Sequence, residues 1–199
     1  MSHYFTEPTG PEKRREIEVR FWDTTWRFTT ANEVFSSDGL DLGTAVLLRE
    51  SAPPAEATRL LDLGCGWGVL AVALASAVPG AIVDAVDVNP RALALADSNA
   101  HAHRVADRVR PLTPDAVEPD VQYDEIWSNP PIRIGKAALH DLLLTWLPRL
   151  RPGGTARLVI GRNLGADSLQ RWLVEQGWRC DRTASAKGFR VFAVRSSEN

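Results

Sequence analysis

From residue 59 onward, short apolar runs alternate with longer Ala- and Leu-rich ones, and this alternation constrains the fold more than any other feature. Strand composition occurs at 59–63, 81–88, 109–112, 123–127 and 156–160. Helical spacing occurs between them, at 69–78, 90–103, 137–150 and 166–176. Pro79-Gly80 closes the first of these helices, Pro90 opens the second, Arg151-Pro152-Gly153-Gly154 ends the third, and Gly177 stops the fourth. Strands separated by helices cannot pair as hairpins. They imply a parallel sheet covered on both faces. Two final strands, 178–183 and 189–194, have no helix between them and imply an antiparallel edge. The expected architecture is α/β, a doubly wound, mostly parallel seven-stranded sheet with an antiparallel C-terminal pair.

The first 50 residues have a different texture. Residues 1–15 are polar, carry Pro8 and Pro11, and read as a loose arm. Alternation over 16–22, then 26–29 after Asp23-Thr24-Thr25, predicts a β-hairpin with Ile17, Val19 and Phe21 on one face. In VFSSDGLDLGTAVLLRE, Leu42, Val46 and Leu47 predict a short helix, and 51–58 with Pro53-Pro54 reads as a linker. The expected division is 1–50 as arm, hairpin and site-covering segment, and 51–199 as the main domain, in one compact unit. The 199 residues, 44% of them hydrophobic, suffice for one core. A net charge of −2 argues against coating nucleic acid by bulk charge, while leaving a local basic rim open. Two cysteines, Cys65 and Cys180, form no framework or metal spacing, which points to a reducing cytoplasmic compartment. No secretory signal and no membrane span are expected, and no metal.

In such a sheet, ligands bind beyond the carboxyl ends of the strands. LLDLGCGWGVL places Gly64, Gly66 and Gly68 directly after a strand and before a helix, where backbone can approach a ligand closely. A dinucleotide fingerprint fits poorly, because Gly68 falls where GxGxxG has no glycine. Another strand end reads WSNPPIRIGK. An exocyclic amine conjugated to a ring or carbonyl is a weak nucleophile. Two acceptors that take its two hydrogens pull the nitrogen toward tetrahedral geometry and aim its lone pair. Asn129 offers a side-chain oxygen and Pro130 a backbone carbonyl. Proline at 130 and 131 removes competing N–H donors and keeps the preceding residues extended. Methyl transfer would then be an in-line displacement governed by positioning.

DLGCGWG, Asp87 in VDVNP and the NPP motif together resemble class I S-adenosylmethionine-dependent methyltransferases, over about residues 34–195. VFSSDGLDLGT, SNPPIRIGK and the terminal KGFRVFAV more narrowly resemble the MTS domain of ribosomal RNA small-subunit guanine-N2 methyltransferases (RsmC-like). The resemblance implies a Rossmann-like fold, S-adenosylmethionine as cofactor, and N-methylation of guanine N2 in ribosomal RNA or the small ribosomal subunit. It places Asp62, Gly64, Cys65, Gly66 and Gly68 at the methionine part, Asp87 and Val88 at the ribose, and Asp115 and Ala116 near the adenine. Asp38 and Thr44 would complete the cofactor pocket together with Asn129. Asn129, Pro130, Pro131 and Ile132 would carry catalysis. Two departures stand out. The family's long form has a second, degenerate copy of the domain in front, for which about 50 residues leave no room. The residue after NPP is usually aromatic, and here it is Ile132.

Arg133 and Lys136 follow the motif, where an RNA backbone could lie. Lys13-Arg14-Arg15, Arg162, Lys187 and Arg190 could extend that rim. A protein-glutamine or adenine-N6 methyltransferase would use the same NPP geometry. A catalytically silent RNA-binding scaffold is the rival from another class. His101, His103 and His140, and five of the seven tryptophans, read as packing residues, and Trp67 and Trp127 as packing residues that flank the site. A monomer is the expected state.

Overall fold

The computed structural model describes residues 11–131 and 134–197. Ile132, Arg133 and the first ten residues of the expected arm lie outside the described residues. Strands β3 (Arg59–Leu63), β4 (Ile82–Val86), β5 (Val109–Leu112), β6 (Tyr123–Ser128), β7 (Leu150–Gly161), β8 (Trp178–Ala186) and β9 (Phe189–Ser196) form one sheet. Its order is β5-β4-β3-β6-β7-β9-β8. All pairs are parallel except β7 with β9 and β8 with β9. This is a Rossmann-like doubly wound sheet. The chain runs outward from β3 through β4 to β5, then returns to place β6 on the other side of β3. The crevice of such a reversal lies at the carboxyl ends of β3 and β6. Ser128 Oγ donates to the Leu63 carbonyl at 2.7 Å and ties those two ends together.

Strand parity sorts the core into two layers. Leu60, Val83, Ala85 and Trp127 face helices α1 (Leu42–Glu50), α2 (Val69–Ala77) and α3 (Pro90–Ala102). Leu61, Leu63, Val86 and Ile126 face α4 (Lys136–Trp146) and α5 (Ala166–Glu175). The interior of α2 is buried on every side from Val69 to Ala75, which explains a sequence with no polar face there.

A two-stranded hairpin, β1 (Arg14–Phe21) and β2 (Thr24–Ala31), lies against the first layer. Its turn is Trp22-Asp23, both with positive φ (47° and 54°), one residue earlier than the spacing of polar residues implies. Trp22 leaves the strand because its indole Nε1 donates to the Leu48 carbonyl at 2.8 Å. Asn99 of α3 fastens β2: it accepts from Thr29 N at 2.8 Å and donates to the carbonyls of Thr29 (2.9 Å) and Trp67 (2.8 Å). Trp67 therefore belongs to the core, against Phe28, and Trp127 packs edge-on to Trp22.

The end of the third main-domain helix also differs from the sequence expectation. The helix at 137–150 ends at Trp146, and Leu147–Arg149 form a 3-10 turn around Pro148, which has no N–H to continue the ladder. β7 starts at Leu150, so Arg151-Pro152-Gly153-Gly154 is no helix stop but a bulge within a strand. The register slips opposite Tyr123 and Glu125, and a Cβ on Gly154 would lie 3.0 Å from the Asp124 carbonyl.

Gly68 requires both its conformation and its lack of a side chain. Its φ is +85°, and a Cβ would stand 2.8 Å from Ala96 Cβ on α3. At Gly64, φ is +77° but a Cβ would meet nothing within 4 Å. Gly68→Ala should therefore cost about 3 kcal/mol, combining left-handed strain with overpacking. That would lower the melting temperature by roughly 6–12 °C. Gly64→Ala should cost about 1 kcal/mol. Thermal denaturation of the two variants side by side checks this; equal losses would contradict the packing argument.

Candidate active site

The loop after β3 is drawn onto the end of β4. Gly64 N and Cys65 N donate to the Val86 carbonyl (2.8 and 3.0 Å), and Gly66 N donates to Asp87 Oδ2 (2.9 Å). Asp87 Oδ1 takes Asn89 N at 2.9 Å. Burial pushes Asp87 upward in pKa and these backbone bonds oppose it. Val88 is half exposed beside it.

Asp62, by parity with Leu60, points toward α2 and is fully buried. Its Oδ2 accepts from Ala71 N at 2.9 Å, while Oδ1 has no partner among the described residues. Burial raises its pKa to about 8, with Asp87 adding to the rise and the Ala71 bond opposing it. An orphaned, buried carboxyl oxygen at the cavity wall suits a cationic ligand. Burial, then Asp87 and Asp62, hold the Cys65 thiol well above its ordinary pKa, so it is no nucleophile.

Asn129 leaves β6 and meets the start of α1. Its Nδ2 donates to Asp41 Oδ1 at 2.7 Å and to Thr44 Oγ1 at 3.0 Å. Asp41 Oδ1 also caps α1 by accepting from Gly43 N (2.7 Å) and Thr44 N (3.1 Å). Since a carboxylate only accepts, the amide nitrogen must face Asp41 and the amide oxygen must face away. That oxygen lies over Gly43, where a Cβ would stand 3.2 Å from it and 2.9 Å from Phe189 Cε1. The buried Pro130 follows. The Pro131 carbonyl is taken by Ile134 N at 3.1 Å.

Asp41, Thr44, Asp62, Gly64, Cys65, Gly66 and Asn129 thus line one cavity, roofed by Phe35, Ser36 and Leu40. It measures about 20 Å³. The roof is anchored at one end, where Asn89 Nδ2 donates to the Glu33 carbonyl and Arg91 pairs with Glu33. Asp38 is placed elsewhere than expected: its side chain is 88% exposed and pairs with Arg15 outside the cavity. Gly68 lies one turn behind, against α3. Asp115 and Ala116 form an exposed 3-10 turn after β5, on the same rim but not in the cavity wall. The Asp115 carboxyl is held low by a hydrogen bond from Thr113. Lys136 is exposed at the first turn of α4.

The sequence reading missed Asp41, Gly43, Asn89, Asn99 and Phe189. The capping signature Asp-Leu-Gly-Thr could have found Asp41, and Asn89-Pro90 is another N-cap signal. No local signal marks Phe189, whose ring comes from β9 to Gly43 at the start of α1. Among the described residues no cluster of metal-ligating side chains occurs, and no helix is long and apolar enough to cross a membrane.

The chain is similar to several known proteins. Ribosomal RNA small subunit methyltransferase C of Shewanella sp. (strain MR-4) is 30% identical over 162 residues, covering 75% of this chain and 46% of that protein. The chain thus spans under half the length of such relatives. Uncharacterized protein YbxB of Bacillus subtilis is 29% identical over 170 residues, covering 83% and 84% of the two chains. Among solved structures, the Thermus thermophilus 16S rRNA N2 G1207 methyltransferase (RsmC), in complex with AdoMet and guanosine, superposes with a TM-score of 0.77 at 23% identity. That match covers 95% of this chain and 52% of that one. The model of the methyltransferase small domain matches residues 25–193. Because that match spans most of the 199 residues, the chain belongs to the methyltransferase small domain family.

Proposed function

We propose that this S-adenosylmethionine-dependent methyltransferase methylates the exocyclic N2 of a guanine in ribosomal RNA. The observation that carries the reading is the double engagement of Asn129 Nδ2 by Asp41 and Thr44. S-adenosylmethionine supplies the electrophilic methyl carbon. Asp62 Oδ1 would hold its ammonium, the backbone of Gly64–Gly66 would border its methionine part, and Asp87 would accept from the ribose hydroxyls. Asn129 Oδ1 and the Pro130 carbonyl accept the two hydrogens of the substrate amine and hold its lone pair in line. Positioning supplies the main rate gain. No strong base is needed, because the amine becomes acidic only once the methyl is attached and then gives up its proton to water. Phe189, which approaches Gly43 as the Asn129 oxygen does, would offer a flat ring for the base where the residue after NPP is Ile132.

The relatives named for ribosomal RNA methylation support the substrate class. The base must leave its stack, at a cost of a few kcal/mol in a duplex, so an unpaired guanine is the easier target. Incubation of unmodified small-subunit RNA and of assembled small subunits with isotopically labelled donor tests the reading. Nucleoside mass spectrometry should show labelled N2-methylguanosine. Label in N6-methyladenosine, or in a glutamine of an added protein substrate, would overturn it.

A further inference from the structure

A second concavity lies on the same rim, between α4 and the start of α5. Lys136, Leu139, His140, Ile160, Leu164 and Leu169 form most of its wall, and it encloses about 310 Å³. That is the lower end of the range for small-ligand sites, roughly 300–1,000 Å³. Nothing in the methyl-transfer chemistry above uses it. It opens at the helix that follows the NPP loop, beyond the carboxyl ends of β6 and β7.

Its wall has an uncommon feature. The His140 ring stacks on Trp172, with centroids 3.6 Å apart and planes 13° from parallel. Trp172 covers one face of the imidazole, and the ring also borders the groove. A backed, fixed flat ring is a stacking platform of the kind that binds bases without regard to sequence. Desolvation and the nearby Lys136 lower the His140 pKa, against a smaller opposing pull from Asp141. The exposed Lys136 supplies positive charge at the mouth, and Arg162 and Lys187 are exposed on neighbouring loops of the rim. Asp167, the acid nearest the start of α5, is paired with Arg190. Apolar walls, a backed ring and cationic edges match one nucleotide of an anionic strand.

We propose that this groove receives the base of the nucleotide next to the target guanine on the same RNA strand, stacked on His140 with its phosphate facing Lys136. The proposal rests on the RNA reading given above. It makes His140 a substrate-positioning residue remote from the reacting atoms.

The test uses guanosine and a trinucleotide with central guanosine, the latter also with an abasic residue on either side. Binding and methyl transfer are measured separately for the intact protein, His140→Ala and His140→Phe. His140→Ala should weaken trinucleotide binding about tenfold, and His140→Phe should restore it. Activity on guanosine alone and affinity for S-adenosylmethionine should not change. One abasic trinucleotide should lose the same factor with the intact protein and lose nothing further with His140→Ala. If His140→Ala leaves trinucleotide binding unchanged while guanine is still methylated, the groove proposal falls and the function stands. If binding depends on His140 but guanine is never methylated, the guanine reading falls and the groove stands. If the protein binds no RNA and methylates a glutamine peptide, both fall.

Discussion

Asn129→Ala should reduce kcat for methyl transfer by about 10²–10³-fold, the loss seen when one preorganised hydrogen-bond partner of a transition state is removed. Affinity for S-adenosylmethionine should change by no more than about threefold, because the donor's ammonium is assigned to Asp62 Oδ1 and not to Asn129. Asn129→Asp should be no rescue. Its carboxylate would face the Asp41 oxygen that now accepts from Nδ2 at 2.7 Å, replacing an attraction by a repulsion. Asp41→Ala should lie between the two extremes. It frees the amide to rotate and removes the cap of α1, so a fall in kcat should come with a loss of about 1 kcal/mol in stability. Single-turnover rates with saturating donor separate these effects. Unchanged chemistry in Asn129→Ala, with donor still bound, would remove the basis of the proposed mechanism.

The second large effect concerns Asp62 and pH. Its pKa near 8 in the folded protein exceeds the ordinary value of 3.8. Between those limits the folded chain binds a proton that the unfolded chain does not. Stability from this group is therefore complete below pH 3.8 and declines as pH rises toward 8. The slope is up to about 1.4 kcal/mol per pH unit, with a plateau above 8. Donor binding should show the opposite trend. A cationic ammonium needs the carboxylate, so affinity should rise up to about tenfold per unit from pH 6 to 8, with release of a proton. Asp62→Asn should flatten both profiles and weaken the donor about 10–100-fold, the size of a charge-assisted bond. Melting curves across pH, and calorimetric titrations in buffers of different ionisation enthalpy, measure the two. A pH-independent donor affinity in the unmodified protein would contradict the assignment of Asp62 Oδ1 to the ammonium.

Much of the sheet was legible because its signals are local. Parity places Leu60 and Leu61 on opposite faces, and Gly64, Gly66 and Gly68 announce a turn that only positive φ allows. Pro148 marks a helix end, yet the Arg-Pro-Gly-Gly run after it has the composition of a stop and lies in β7. A bulge is defined by what lies across from it, here the carbonyls of Tyr123 and Asp124. The site residues divide in the same way. Asn129 and Asp87 sit within motifs. Asp38 and Asp41 are three residues apart in one polar segment, and only the direction of the chain entering α1 turns one outward and the other inward.

Hydrophobic periodicity, glycine and proline act over a few residues, so the amino-acid order alone determined the alternation of strands and helices, the glycine turn and the extended Asn-Pro-Pro. Tertiary structure decided which way the Asn129 amide faces and that Asp62 Oδ1 keeps no partner among the described residues. It also brought Phe189 against Gly43 and stacked His140 on Trp172. Those outcomes depend on burial and on hydrogen-bond partners up to 88 residues apart, as between Asn129 and Asp41. Desolvation and partner geometry exist only after the sheet has closed.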